Sequence, residues 1–499
     1  MTSDLPVPTD VRSSRIDQLA DRFVDDSAAL DPLFATALGV PGQDHLLPDF
    51  SPDGRRAVAD VARTALRDLE ASAAEGGLDA EDRVTVAAMK ERLGLQLEMY
   101  DSGETERDLN VIASPVQEVR LVFDMMKTDT ADDWSTIAQR LAAVPVSLGT
   151  YRASLLAARG RGQVAARRQV EKSAVQCDEY GAANGFFAEF AAREDVPESV
   201  RADLADSARA AGEGYLQLGR FLREELLPHA AEQDAVGRER YALGSRLFLG
   251  ATVDLEETYQ WGLDELARIE SEMAKVADQI VPGGSVDDAA AALDGDPGRV
   301  IHGKEQFREW MQALADQTVT EMGATHFDIP EPVRRIECKI APTTTGGIYY
   351  LPPSADFTRA GAMWWSVPEG VEDFSTWREV TTVFHEGVPG HHLQCGQTAF
   401  RSNLLNRWRR LACWVSGHGE GWALYAERLM AELGYLDEPG GRLGLFAAQG
   451  FRVARVVLDL GAHPPLPTPT GCQQARPVVA QRDGDGGQAL RDRRPVVRG

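Results

Sequence analysis

The chain has 499 residues, of which 43% are hydrophobic and 26% are charged. This composition is typical of a folded protein with a large core, and it excludes a disordered or low-complexity chain. The net charge of −25 argues against nucleic acid and anionic membrane as partners, because both are bound through basic patches.

The N-terminus has no basic stretch followed by an apolar one, so we expect no secretion signal. No uninterrupted apolar run approaches the ~18 residues of a membrane span. The five cysteines are scattered and form no CxxC pair, a pattern that favours free thiols in a reducing compartment. We therefore predict a cytoplasmic protein that does not associate with membranes. The sequence carries no signal for its oligomeric state.

Amphipathic patterns predict long helices through the first half of the chain. They cover residues 12–40, 54–100, 131–160, 163–193 and 196–232, with short breaks. The clearest pattern lies at 254–280, where apolar residues recur every three or four positions. Asp254 precedes this run and Glu257 follows three residues later, which is the pattern of a capping box.

A β signal stands at 334–351. Ile336, Cys338 and Ile340 alternate with polar residues, as in a half-buried strand. A Pro- and Thr-containing turn follows, and then the apolar stretch 348–351. We predict a β-hairpin close to the candidate site, with an edge that could pair with an extended peptide.

The candidate metal-binding motif begins at His385-Glu386. In the common zinc-binding helix, H-E-x-x-H, two histidines one turn apart hold the metal and the Glu acts as general base. Here Pro389 stands where the second His would be. On an unbroken helix His391 would face a different side. Pro389 and its flanking glycines predict a bulge that brings His391 to the metal, with His392 as the alternative ligand.

A catalytic zinc site needs about three protein ligands and one open position. Glu420 is the best candidate for the third ligand. Glu427, two turns further along the same predicted helix, would either orient a ligand histidine or be a surface carboxylate. Thr376 and Glu379 predict a capping box at the start of the helix that leads into the motif.

The stretch V-F-H-E-G-V-P-G-H-H-L-Q at 383–394 resembles the signature of the bacterial family known as domain of unknown function 885. The stretches at 349–354, 420–427 and 459–463 agree with it, and the resemblance covers residues 10–463. It implies a mainly α-helical, peptidase-like fold with a deep cleft. The family is distantly related to thimet oligopeptidase, thermostable bacterial carboxypeptidases and angiotensin-converting enzyme.

In those relatives a Gly precedes the second zinc histidine, and the third ligand is a Glu on a following helix. The resemblance therefore implies His385, His391 and Glu420 as the ligands of one zinc ion per chain. Mn²⁺ or Co²⁺ could occupy the same nitrogen and oxygen ligands.

Hydrolysis also needs a donor for the oxyanion that develops on the substrate carbonyl. The candidates are Tyr349, Tyr350, His418 and His463. Tyr350 and His463 rank highest, largely through the resemblance.

For the domain organisation we predict an N-terminal helical part at 1–240 and a metal-site part at 241–463, which together form one continuous fold. The Pro- and Arg-rich stretch 464–499 departs from the family pattern and loses apolar periodicity. We interpret it as a disordered tail or as the product of a frameshift in a GC-rich gene.

The expected function is that of a zinc metallopeptidase of carboxypeptidase or oligopeptidase type, acting on short peptides. One alternative is a metal-dependent hydrolase of a non-peptide amide or ester. Another is a metal- or peptide-binding protein without activity. A carboxypeptidase also needs a cation for the substrate carboxylate, and Arg452 and Arg455 are candidates for it.

Overall fold

The computed structural model describes residues 13–341, 347–354 and 356–463. Over these residues the chain is mainly α-helical, which confirms the predicted fold class, and it forms two compact units. Of the described residues, the first unit holds 13–235 together with Arg401–Cys413. The second holds those of Val236–Phe400 and 414–463. The predicted tail at 464–499 lies outside the described residues.

The first unit is helical. Its α-helices are α1 (Arg15–Leu30), α2 (Pro32–Leu38), α3 (Pro52–Ala74), α4 (Ala80–Asp101), α5 (Pro115–Met125), α6 (Ala131–Gly160), α7 (Arg167–Gly181), α8 (Phe186–Ala191) and α9 (Arg201–Phe221). Short π and 3-10 segments lie at Leu222–Leu226, Leu227–His229 and Trp408–Ala412. The predicted helix at 54–100 is divided between α3 and α4, because Gly76 and Gly77 adopt φ angles of 78° and 77° that other residues rarely reach.

Helix α6 runs through the core of the first unit and packs against α9. Its Trp134, Leu141 and Tyr151 are fully buried, and so is Arg140, which donates a 2.9 Å hydrogen bond to the carbonyl of Leu46. Within the described residues α6 is also the one helix long and apolar enough to cross a membrane. That is weak evidence for a span, since a core helix of a soluble protein passes the same test.

The second unit contains helices and two small sheets. Its α-helices are α10 (Arg238–Leu249), α11 (Leu255–Ile280), α12 (Val286–Asp294), α13 (Lys304–Thr325), α14 (Thr376–Glu386), α15 (His391–Phe400), α16 (Ser416–Glu432) and α17 (Pro439–Ala462). Its strands are β1 (Val300–His302), β2 (Ile336–Ile340), β3 (Ile348–Leu351), β4 (Gly361–Trp365) and β5 (Asp373–Ser375), and 3-10 turns lie at Pro297–Arg299 and Glu331–Arg334. Helix α11 starts as predicted, with the carboxylate of Asp254 accepting a hydrogen bond from the Glu257 N–H.

The predicted hairpin of β2 and β3 is wrong. Strand β4 lies between them, parallel to β2 and antiparallel to β3, while β1 pairs with β5 in a separate antiparallel sheet. The alternation itself is confirmed, because Ile336 and Cys338 are buried. Local alternation indicates a strand and its faces, but it does not reveal that a later segment inserts between two strands.

The predicted capping box at the start of α14 is also wrong. Ser375 is the residue before the helix and makes no side-chain cap hydrogen bond. Thr376 is already helical, and its hydroxyl donates to the Arg299 carbonyl at 3.1 Å. Glu379 is buried within the helix.

Helix α17 packs directly on α14 because Gly444 lies against the backbone of Trp377. A Cβ built on Gly444 would lie 2.0 Å from the Trp377 carbonyl oxygen, far inside any normal contact. Only a glycine permits this approach, which brings α17 beside the helix that ends in the His-Glu pair.

We expect Gly444→Ala to lower the free energy of unfolding by roughly 1–3 kcal/mol, because the added methyl forces two packed helices apart. Gly244→Ala is the control. It lies in α10 of the same unit, and among the described residues no atom outside its own stretch of helix backbone comes within 4 Å of the built Cβ. Replacing a helical glycine there should stabilise by at most ~1 kcal/mol. Thermal or denaturant unfolding measures both, and equal effects would contradict the close approach.

Candidate metal centre

The His-Glu motif spans a break between two helices. Helix α14 ends at Glu386 and α15 begins at His391, so the expected bulge within one helix is instead a complete interruption. The Gly390 N–H still donates to the Phe384 carbonyl at 3.1 Å, and the His392 N–H donates to Gly387 at 3.1 Å. These bonds fold the four intervening residues tightly and return the chain to the end of α14.

Two contacts explain the residues found in this break. A Cβ on Gly390 would lie 1.8 Å from the His385 carbonyl oxygen, so no side chain fits there. The indole N–H of Trp422, on α16, donates to the Pro389 carbonyl at 2.8 Å. The break is therefore fixed to the helix that also carries Glu420.

His385, His391 and Glu420 converge on one point. Each offers one ligand atom, and the three atoms lie within 4.8 Å of one another. An oxygen of Glu420 lies 3.3 Å from His385 Nε2 and 3.6 Å from His391 Nε2. Both histidines are buried, whereas the Glu420 side chain is 54% exposed. The structure thus brings together the three residues predicted as metal ligands.

The spacing of these atoms fits a divalent metal ion. Ligands ~2.0–2.1 Å from a tetrahedral ion are about 3.3 Å apart, close to the two Glu420 distances. Hydrogen bonds from His385 and His391 hold the pKa of Glu420 well below its ordinary value, so its carboxylate is ionised. Two imidazoles and a carboxylate form a donor set that suits zinc, with a position left for water.

A buried carboxylate orients His385. Glu427 is fully buried and accepts hydrogen bonds at 2.7 Å from His385 Nδ1 and from the Thr381 hydroxyl. Arg452, on α17, lies 3.0 Å from the same carboxylate. Burial by itself lowers the pKa of His385, but hydrogen bonds to Glu420 and Glu427 raise it to about 9. Because Glu427 is fully buried and bonded to His385, it orients that histidine and is not a surface carboxylate.

Thr381 is a member of this network that was not predicted from the sequence. Thr381 lies four residues before His385 and so on the same face of α14, which is a spacing that could have indicated it. Arg452 was predicted as a cation for the substrate, but its charge is directed at Glu427, and Arg455 lies over the ring of Phe451.

Glu386 is buried beside the three converging residues. Burial raises its pKa, while the charges of His385 and His391 lower it. In the part of the chain that the structure describes, its Oε2 atom has no hydrogen-bond partner. An unpaired buried carboxylate oxygen is costly unless it serves a ligand or a water.

His392 is placed away from the metal position by its own partners. Its Nε2 lies 2.7 Å from the Val333 carbonyl and its Nδ1 lies 2.9 Å from the Tyr350 hydroxyl. A carbonyl only accepts, so Nε2 carries the hydrogen and Nδ1 accepts from Tyr350. Burial lowers the pKa of His392 to about 4. Both nitrogens are occupied, which favours His391 as the ligand.

Tyr350 lies beside the centre, with its ring 6.3 Å from that of His391. Burial raises its pKa well above the ordinary value, so the hydroxyl is protonated. A Cβ on Gly361 would lie 2.2 Å from this hydroxyl. The contact between Tyr350 and His392 therefore depends on a glycine in β4.

The structure places the other predicted oxyanion donors differently. His463 stacks on Tyr241 at the end of α17, and its Nδ1 accepts a 3.3 Å hydrogen bond from the Val236 N–H. It lies eleven residues beyond Arg452, or about 16 Å along the helix axis. His463 therefore lies with Tyr241 and Val236, and not with His385, His391 and Glu420. His418 is exposed, with its Nδ1 3.2 Å from the Gln394 amide.

A family model described as a bacterial protein of unknown function, DUF885, matches residues 32–474. The chain belongs to this family. The resemblance noted in the sequence is thereby confirmed, and the DUF885 match extends beyond His463, where the sequence analysis placed its end.

Among solved structures, one that matches is a crystal structure described as "the putative lipoprotein from Colwellia psychrerythraea". It has a TM-score of 0.77 at 20% sequence identity, and the match covers 90% of this chain and 83% of that one. At this identity the likeness shows a shared fold and nothing about activity. No curated protein matches this DUF885 chain.

We expect the purified chain to bind one zinc ion, and His391→Ala to remove most of it because one of the three ligands is lost. His392→Gln should retain the zinc, since neither nitrogen of His392 is directed at the ion. Elemental analysis measures both. Equal zinc loss in the two variants, with both still folded, would contradict the assignment of His391.

We expect Glu427→Gln to weaken zinc binding ~10–100-fold, because residues that orient a ligand histidine have effects of that size. The control is Glu432→Gln, an exposed carboxylate on the same helix, which should leave affinity unchanged. Competition with a fluorescent chelator gives both dissociation constants. Unchanged affinity in Glu427→Gln would exclude the orienting role.

Proposed function

We propose that the chain is a metallopeptidase that hydrolyses short peptides, with one divalent metal ion, preferably zinc, held by His385, His391 and Glu420. The observation that carries the proposal is the convergence of these three ligand atoms beside the buried, unpartnered oxygen of Glu386. A metal ion bound there would lower the pKa of a water molecule towards ~7 and polarise a substrate carbonyl.

Glu386 would act as the general base and then as the general acid. It takes a proton from the attacking water as the oxygen adds to the peptide carbonyl carbon. As the C–N bond breaks, the same carboxyl group delivers that proton to the leaving amine.

Tyr350 is a predicted donor for the developing oxyanion, and its ring lies beside that of His391. In the structure the Tyr350 hydroxyl donates its hydrogen bond to His392 Nδ1. It could therefore stabilise an oxyanion only by exchanging that bond for one to the substrate. His463 has no role in this proposal, because its partners lie elsewhere.

The sheet supports a peptide as the substrate. In the described residues β3 is an edge strand of the three-stranded sheet, and it carries Tyr350. The exposed edge of a strand can pair with an extended peptide through main-chain hydrogen bonds, without reading its side chains. This favours a peptide over a small amide or ester.

We expect Glu386→Gln to lower kcat on peptides by ~10²–10⁴-fold while zinc content stays unchanged, because the amide cannot accept the proton. Glu432→Gln should retain full activity. Steady-state assays with zinc measured on the same samples check this, and activity that survives Glu386→Gln would remove the general-base role.

A peptide library assayed beside amide and ester panels tests the substrate class. Cleavage of peptides supports the proposal. Turnover of esters alone would favour a different metal-dependent hydrolase. A zinc-loaded chain that turns over nothing would favour a metal- or peptide-binding protein.

A further inference from the structure

We propose that Arg359 binds the C-terminal carboxylate of the peptide substrate, so that the centre releases a short fragment from the C-terminus. This inference rests on the proposed function and specifies its substrate class as peptides with a free carboxylate. It replaces Arg452 and Arg455, the cations that the sequence analysis offered.

Arg359 lies next to the strand position that touches Tyr350. A Cβ on Gly361 would meet the Tyr350 hydroxyl at 2.2 Å and His392 Nδ1 at 2.8 Å, so the side-chain direction at position 361 is toward the centre. Arg359 is two residues earlier, and its Cα is therefore within about 7 Å of Gly361.

Arg359 precedes β4, and its backbone is hydrogen-bonded to Ser354, in the segment that follows β3. Its carbonyl accepts a 3.1 Å hydrogen bond from the Ser354 N–H, and its own N–H donates to the Ser354 hydroxyl at 3.0 Å. The guanidinium of Arg359 lies 3.3 Å from the carbonyl of Pro352, two residues after Tyr350. Arg359 is thus held beside the end of β3 that carries Tyr350.

The guanidinium of Arg359 is available to bind an anionic group of a substrate. Its side chain is exposed and donates a 3.3 Å hydrogen bond to the Pro352 carbonyl, and over the described ranges no carboxylate forms an ion pair with it. By contrast, Arg452 lies against Glu427 and Arg428 against Glu265. A guanidinium with free N–H groups can bind a carboxylate through two parallel hydrogen bonds.

The electrostatics of Tyr350 agree with this placement. Burial is the main cause of its raised pKa, Arg359 lowers that pKa and Glu386 raises it. Tyr350 is therefore within the electrostatic reach of both groups. A peptide whose scissile carbonyl lies near Glu386 could extend past Tyr350 to Arg359, and each residue adds only about 3.5 Å of extended chain.

Two peptides of one sequence, one with a free C-terminal carboxylate and one with a C-terminal amide, test this on the full zinc-loaded chain. We expect kcat/KM to be ~10–100-fold higher for the free acid, the size of a charge-assisted hydrogen bond pair. Arg359→Gln should remove this preference by raising KM for the acid, and should leave the amide unaffected. Arg359→Lys should restore part of it.

Lys339→Gln is the matched control. Lys339 is a cation of the same sheet, but it lies over the ring of Trp364 on the opposite face from Tyr350. Its replacement should change neither peptide. Zinc content and melting temperature of each variant report whether it is folded.

The outcomes separate the two proposals. Equal cleavage of acid and amide by the unaltered chain, or an equal loss on both peptides in folded Arg359→Gln, would overturn the role of Arg359 and leave the peptidase intact. If the zinc-loaded chain cleaves neither peptide, the proposed function fails and the inference fails with it.

Discussion

The candidate centre depends on one buried carboxylate. Glu427 is fully buried, and it takes hydrogen bonds from Thr381 and His385 on α14 and an ion pair from Arg452 on α17. An ionised carboxylate in the interior costs several kcal/mol unless its partners are in place. The three helices are therefore held in one arrangement. In that arrangement His385 has one nitrogen fixed, and its other nitrogen is left facing Glu420.

Close backbone contacts at two glycines also hold these helices together. Gly444 lets α17 approach α14, and Gly390 lets the chain turn back against the last carbonyl groups of α14. Trp422 fastens that turn to α16. Neither glycine position has room for a side chain. The close backbone contacts and the polar network therefore act on the same three helices, which include the two that carry His385 and Glu420.

The two adjacent histidines illustrate how surroundings assign different tasks to identical side chains. His391 has its Nε2 directed at Glu420, whereas His392 uses one nitrogen on Val333 and the other on Tyr350. Burial keeps His392 neutral. It serves to position Tyr350 and the sheet beside the centre, and Gly361 makes room for that contact.

The sequence by itself determined the helical fold class, the extent of α6 and α11, and the three residues that converge. The helices follow from apolar periodicity, and His385 and Glu420 from the small number of side chains that can bind a metal. The preference for His391 over His392 came mainly from the family resemblance. The sequence did not determine the partner of β2, because strand pairing joins segments distant in the chain. Only the tertiary structure decided that Arg452 faces Glu427, that His463 lies with Tyr241, and that Arg359 lies beside the end of β3. Whether a polar side chain is paired or free depends on what surrounds it in space, and one-dimensional spacing does not contain that information.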